Sequence, residues 1–217
     1  MPDFPINLNL STRNVVIVGG GSVALRRAQS LLSAGATITL IAPDIHPDLE
    51  ALPIKIHKRP YQTMDLHDAF LVVIATSDNK INDSVHQDAR AEDILVNRAD
   101  APNQSDFTVP AVAHVGPVTI AVTTNGSSAS AAAQIRDQLA TNLDKDWSPL
   151  LDLASNYRHM LQSAITDPKR RIQRIKQLTS SDAIRIFKEQ GTQAYQAFCQ
   201  SLMPDQYEDD NNDSHES

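Results

Sequence analysis

The residues with chemical potential sit where apolar runs end. Val16-Ile17-Val18-Gly19-Gly20-Gly21-Ser22-Val23-Ala24 places Gly19, Gly21 and Ala24 in the three small positions of a G-x-G-x-x-G/A turn. Between a strand and a helix, such a turn has a mechanism. The first glycine permits the tight turn, the second lets backbone approach a pyrophosphate, and the third small residue lets helix and strand pack closely. The helix N-terminus then favours the negative charge of the ligand.

Two other run ends are polar. The second run stops at Leu40-Ile41-Ala42-Pro43, so the acid expected to meet a ribose arrives late, as Asp44. No Arg follows in that turn to receive a 2′-phosphate, which favours NAD over NADP. The fourth run ends Ala75-Thr76-Ser77-Asp78, either a contact for the nicotinamide half or a helix N-cap. The fifth ends Asn97-Arg98-Ala99-Asp100-Ala101-Pro102, where a carboxylate beside a nicotinamide could accept a proton as a hydride leaves. The structural alternative for Asp100 is a turn-forming acid before Ala-Pro.

The elements that must position these groups alternate. Strands are expected at Asn14 to Val18, Ala36 to Ala42, Ile54 to His57, Ala69 to Ala75 and Ile94 to Asn97, with helices from Val23 to Ala34 and from Asp78 to about Ala91. This is the pattern of a Rossmann-type doubly wound α/β domain with a parallel sheet, whose ligands bind beyond the carboxyl ends of the strands. Phe107 to Ala113 and Pro117 to Thr124 read as an antiparallel pair around Gly116-Pro117. Everything after them reads as helix: Ser128 to Leu143, Trp147 to Ala164, Pro168 to Leu178, and Asp182 to Leu202 with a break at Gly191. The expected division is a nucleotide-binding domain over 1–113, a small middle segment over 114–146, a helical domain over 147–202 and a disordered acidic tail over 203–217.

Composition narrows the function classes. With 41% hydrophobic and 21% charged residues, the 217-residue chain can bury a sizeable core. Six acids and no Lys or Arg follow Pro204, leaving 20 acids against 19 bases elsewhere, a balance that argues against nucleic acid as partner. The longest apolar run, Ala69 to Ala75, is seven residues, and Met1 to Leu10 does not resemble a signal peptide, so no membrane association and a cytoplasmic location are expected. Cys199 is the only cysteine, which excludes an intramolecular disulfide or a cysteine-rich metal site.

Taken together, GGGSVA, ATSDNKIN, NRADAP and the segment DFTVPAVAHVGPVTIAVTTNGSSASAAAQIR form an ordered set. The set resembles the precorrin-2 dehydrogenase/sirohydrochlorin ferrochelatase family, which also forms the N-terminal part of siroheme synthases. The resemblance covers about residues 6 to 142 well and 147 to 202 more loosely. It implies a homodimer, with 114–146 as its dimerisation segment, that oxidises precorrin-2 to sirohydrochlorin with NAD⁺, and in many members also inserts Fe²⁺ to give siroheme. By position it makes Asp100 the catalytic aspartate of both reactions, meeting iron transiently, with no permanent metal. Cofactor contacts map by the same resemblance onto Gly21, Ser22, Val23, Pro43, Asp44, Ala75 and Thr76. Ser128 matches a serine that borders the tetrapyrrole site and is phosphorylated in some siroheme synthases; its structural alternative is a helix N-cap.

The sequence also departs from that family. Asn125-Gly126 stands for a usual Gly-Gly, Ala129 for a usual Pro, Ala133 for a common Arg, and Val115 for another. Asn97, Arg98, His114, Ser128 and Arg136 are the expected contacts for a macrocycle rich in carboxylates, with Arg98 and Arg136 suited to pair with them. Two alternatives stay open: a dehydrogenase without chelatase activity, and a non-catalytic module that senses NAD(H).

Overall fold

A computed structural model describes residues 3–204 of the chain. All but the first two residues of the expected acidic tail lie outside the described residues. Contacts divide the chain into two compact units, one up to Val109 and one from Pro110.

In the first unit, strands β1 (Asn14–Val18), β2 (Thr37–Ile41), β3 (Lys55–His57), β4 (Leu71–Ile74) and β5 (Leu95–Arg98) form one parallel sheet in the order β3-β2-β1-β4-β5. The side chains of β1 alternate between the two faces. Val15 and Ile17 join Ala24 and Ala28 of helix α1 (Ser22–Ser33) in one core, while Val16 and Val18 join Val85 and Ala89 of α3 (Asn79–Ala91) in another. Helices therefore cover both faces, which is why β4 is buried along its whole length and reads as an unbroken apolar run. A short helix α2 (Pro47–Glu50) follows β2, and a single 3₁₀ turn (Thr63–Leu66) takes the place of a helix between β3 and β4.

The register fixes the working edge of the sheet. Val18 pairs with Ile41 on one side and with Ile74 on the other, and Ile74 pairs with Arg98. The residues that follow these four emerge together, so the glycine turn, the Pro43-Asp44 loop, Ala75-Thr76 and Asp100 share one edge. At that edge sequence order reverses around β1 and β4, the usual place for a ligand crevice.

The strand expected from Phe107 begins later, as β6 (Ala111–Val115). Asp106 N–H donates to the Val96 carbonyl at 2.8 Å and its carboxylate accepts from Val96 N–H, while the Phe107 carbonyl accepts from Asn97, so these residues stay bound to β5. Pro110, which has no N–H to donate, follows. The division between units accordingly falls at Val109/Pro110, and the boundary expected after residue 113 runs through β6.

In the second unit β6 pairs antiparallel with β7 (Val118–Val122), as the Gly-Pro turn predicts, and α4 (Ala129–Asn142) packs on this hairpin. Helices α5 (Trp147–Ala164), α6 (Pro168–Gln177) and α7 (Ser181–Gln200) bury Leu150, Ala154, Leu161, Leu178, Phe187, Tyr195 and Cys199 together. The break expected at Gly191 is present: its φ of 85° and ψ of −178° interrupt α7. Among the described residues, no helix is long and apolar enough to cross a membrane.

Leu161 has no exposed surface in this helical core. Its replacement by Ala should cost about 2–5 kcal/mol through lost burial and the cavity left behind, read as a lower denaturant midpoint in urea unfolding followed by helical circular dichroism.

Candidate active site

A cleft of about 760 Å³ opens at the sheet edge, lined by the glycine turn, the Pro43-Asp44 loop and the Ala75-Thr76 exit. Gly19 turns with φ +126°, and a Cβ on it would lie 2.2 Å from the Ala75 carbonyl oxygen. Gly20, outside the small positions of the turn pattern, is equally constrained: its Cβ would lie 1.9 Å from the Asp44 carbonyl oxygen. The Gly20 carbonyl also accepts from His46 N–H at 2.8 Å, which ties the turn to the loop after β2. Gly21 faces open space and brings no side chain to cap α1, so the first-turn N–H groups of Ser22, Val23 and Ala24 keep their donors for a ligand. Ala24 is fully buried, which is the close helix-to-sheet packing expected of the third small position.

These features fit an anionic nucleotide. No Lys or Arg lines the cleft, whereas Asp44 does. Sequence reasoning missed His46 and Tyr61 on its wall. The Tyr61 hydroxyl donates to Asp88 at 2.9 Å, and burial together with that carboxylate pushes the phenol well above its ordinary pKa, so it stays neutral.

Next to the cleft, a polar network links the ends of β4 and β5. Thr76 Oγ1 donates to Asn82 Oδ1 at 2.6 Å, and Asn82 Nδ2 donates back to the Thr76 carbonyl at 3.2 Å. Asn82 is completely buried and also stabilises the ionised Asp100. Its signal in the sequence was positional: Asn82, Val85 and Ala89 share the buried face of α3. Asp100 itself is gripped side-on by Arg98, Nε to Oδ1 at 3.1 Å and Nη2 to Oδ2 at 2.6 Å. The Arg98 guanidinium, opposed only in part by burial, holds the Asp100 carboxyl down to about 2.

Two expected substrate contacts are engaged inside the first unit instead. Arg98 is 4% exposed and its remaining arm, Nη1, donates at 2.8 Å to both Asp83 and Gln104. It is a buried partner of Asp100 rather than a free receptor for substrate carboxylates. Asn97 is also buried, and its Nδ2 donates to the Phe107 carbonyl at 2.9 Å, while its Oδ1 has no partner among the described residues.

The other three belong to the second unit. His114 Nδ1 lies 3.2 Å from Thr119 Oγ1 across the hairpin. Ser128 is the N-cap of α4, its Oγ accepting from Ala131 N–H at 3.2 Å. Arg136 pairs with Asp137 at 2.7 Å and donates to the Val112 carbonyl at 3.3 Å, which fastens α4 to β6. Among the described residues, no three His, Cys, Asp or Glu side chains converge as metal ligands.

Comparison with known proteins agrees with this architecture. A family model described as "Putative NAD(P)-binding" matches residues 6–111. The siroheme synthase of Nitrosococcus oceani is 34% identical over 199 residues, covering 89% of this chain and 42% of that protein. The siroheme synthase of Psychrobacter cryohalolentis is 36% identical over 169 residues, 76% of this chain and 32% of that protein. The chain thus spans less than half the length of these curated relatives. A solved structure, "SirC, precorrin-2 dehydrogenase", superposes with a TM-score of 0.75 at 23% identity, covering 92% of this chain and 98% of that one, and so shares the fold. The glycine turn, the strand exits and these matches agree: the chain is similar to part of the siroheme synthases and shares the fold of a precorrin-2 dehydrogenase.

Proposed function

We propose that this chain is a cytoplasmic NAD-dependent dehydrogenase that oxidises precorrin-2 to sirohydrochlorin in siroheme formation. One observation carries the reading: the cleft at the glycine turn is joined through Thr76 and Asn82 to an ionised, oriented carboxylate, Asp100. Gly21, Ser22, Val23 and Ala24 would hold the pyrophosphate on backbone N–H groups, with Pro43 and Asp44 at the adenosine end and Ala75 and Thr76 at the nicotinamide end. A bound nicotinamide supplies hydride acceptance. Asp44 without a basic neighbour on the cleft wall favours the free 2′-hydroxyl of NAD over a 2′-phosphate.

The protein's own part is orientation and electrostatics. Asp100 presents an anion, about a quarter exposed, at the edge where substrate would lie. Positive charge develops on the tetrapyrrole as hydride leaves, and a fixed carboxylate stabilises it. Carboxylates of the substrate need polar partners and cations, and His114, Ser128 and Arg136 are the residues of the second unit proposed to meet them. We further propose that the hairpin and α4 form the homodimer contact. Only Ala132 of α4 is buried, while Val112, Ile135 and Leu139 are exposed, an apolar surface suited to a second copy.

The decisive experiment is anaerobic incubation of the protein with enzymatically generated precorrin-2 and NAD⁺, following the visible spectrum and NADH. Appearance of sirohydrochlorin matched by NADH supports the assignment; tight NADH binding with no product would make the chain a sensing module. NAD⁺ should support turnover at least about tenfold better than NADP⁺, in keeping with the ribose contact. Asp100→Ala should lower turnover about a hundredfold or more while NADH affinity, measured by fluorescence, stays unchanged. Gly20→Ala should do the reverse at the binding step. Its Cβ cannot coexist with the Asp44 carbonyl, so NADH affinity should collapse, and a variant that binds NADH normally would refute the cleft.

A further inference from the structure

Arg98 is the one buried charged side chain among the described residues. It neither borders the cleft nor points outward as a receptor. Two of its nitrogens hold the two oxygens of Asp100, and the third holds Asp83 and Gln104. Its backbone N–H donates to Ser105 Oγ at 2.8 Å, and its side chain is fixed from both sides. We propose that Arg98 is a specificity-determining residue that commits Asp100 to oxidation of the tetrapyrrole and withholds it from iron insertion. This rests on the dehydrogenase reading above and concerns the same carboxylate.

The two reactions ask different things of Asp100. Oxidation removes a hydride and a proton from the macrocycle, and a carboxylate assists by its charge alone while water takes the proton. Insertion changes no oxidation state. Fe²⁺ forms bonds to the ring nitrogens, two N–H bonds break, and two protons leave to the buffer. There a carboxylate helps only by lending an oxygen lone pair to the incoming iron and by receiving N–H protons. In this chain one lone pair on each Asp100 oxygen is already taken by a guanidinium. The positive charge that does so repels Fe²⁺ and protons alike.

The same geometry says what removing Arg98 would expose. Asp83 and Asp100 both sit on the guanidinium, so its loss leaves two carboxylates around the space it filled. Paired carboxylates are hard oxygen donors for a divalent cation. The expectation is therefore a gain of activity, which a merely structural ion pair would not give.

The test supplies sirohydrochlorin and Fe²⁺ anaerobically to the full chain and to its Asp100→Ala, Arg98→Met and Arg98→Met/Asp100→Ala variants, with buffer alone as reference. Wild-type protein should insert iron within about twofold of buffer, Arg98→Met should exceed it about tenfold or more, and the double variant should fall back. Wild-type acceleration that Asp100→Ala abolishes would overturn the proposal, as would a folded Arg98→Met protein with no gain. If Arg98→Met fails to fold, the wild-type and Asp100→Ala rates against buffer still decide. Precorrin-2 oxidation by NAD⁺ is measured in parallel on wild type: its absence sinks the dehydrogenase reading, whereas oxidation together with fast wild-type iron insertion sinks only the role given to Arg98.

Discussion

Parallel pairing in register is the constraint from which the rest of this site follows. With Val18, Ile41, Ile74 and Arg98 in one row of the ladder, four loops of unrelated sequence are delivered to the same edge at the same height. A one-residue slip of β5 would turn Arg98 to the opposite face of the sheet and break its hold on Asp100. Register here is pinned from outside the sheet as well. The Val96 N–H donates to the Asp106 carboxylate and the Arg98 N–H to Ser105 Oγ, so the loop that leaves β5 returns to lock it.

Much of the fold was legible because it is local. β1 follows the run Asn14 to Val18, and the helix after the glycines is written in Ala24 and Ala28, four apart and both buried. The cleft was legible for the same reason, since a glycine turn between strand and helix has one dominant use. The misreadings have a common origin in non-local structure. Gly20 is required by the Asp44 backbone, which is remote in sequence, and nothing in the turn pattern marks it. Arg98 reads as a surface cation beside Asp100; only the fold shows Asp83 of α3 and Gln104 closing on its other side. Phe107 has the residue type of a strand but its carbonyl is claimed by Asn97.

The two parts of the second unit are held together very differently. The α5 to α7 core is self-sufficient: Phe187 and Tyr195 meet edge to face at 5.5 Å, and the buried Tyr195 hydroxyl donates to the Leu178 carbonyl. The hairpin with α4 is not. Its strands alternate half-buried and exposed residues, and its helix buries one alanine. A two-stranded ribbon is marginal alone, so this segment depends on what covers its apolar side. Folding of that region and the homodimer contact proposed for it are accordingly one question.

The Arg98 network couples a buried charge to the carboxylate at the working edge of the sheet. A guanidinium that is 4% exposed needs anionic partners, because a buried charge left alone costs several kcal/mol. Asp100 is therefore in double demand, once to neutralise Arg98 and once for the role proposed for it at the edge. That double demand predicts an asymmetry: removing Asp100 strands a buried cation beside the exposed Asp83, whereas removing Arg98 strands a carboxylate already a quarter exposed to water. Stability should therefore suffer more from losing the acid than from losing the base. The position two residues before the aspartate is thus the place where this site can be retuned at modest cost to the fold.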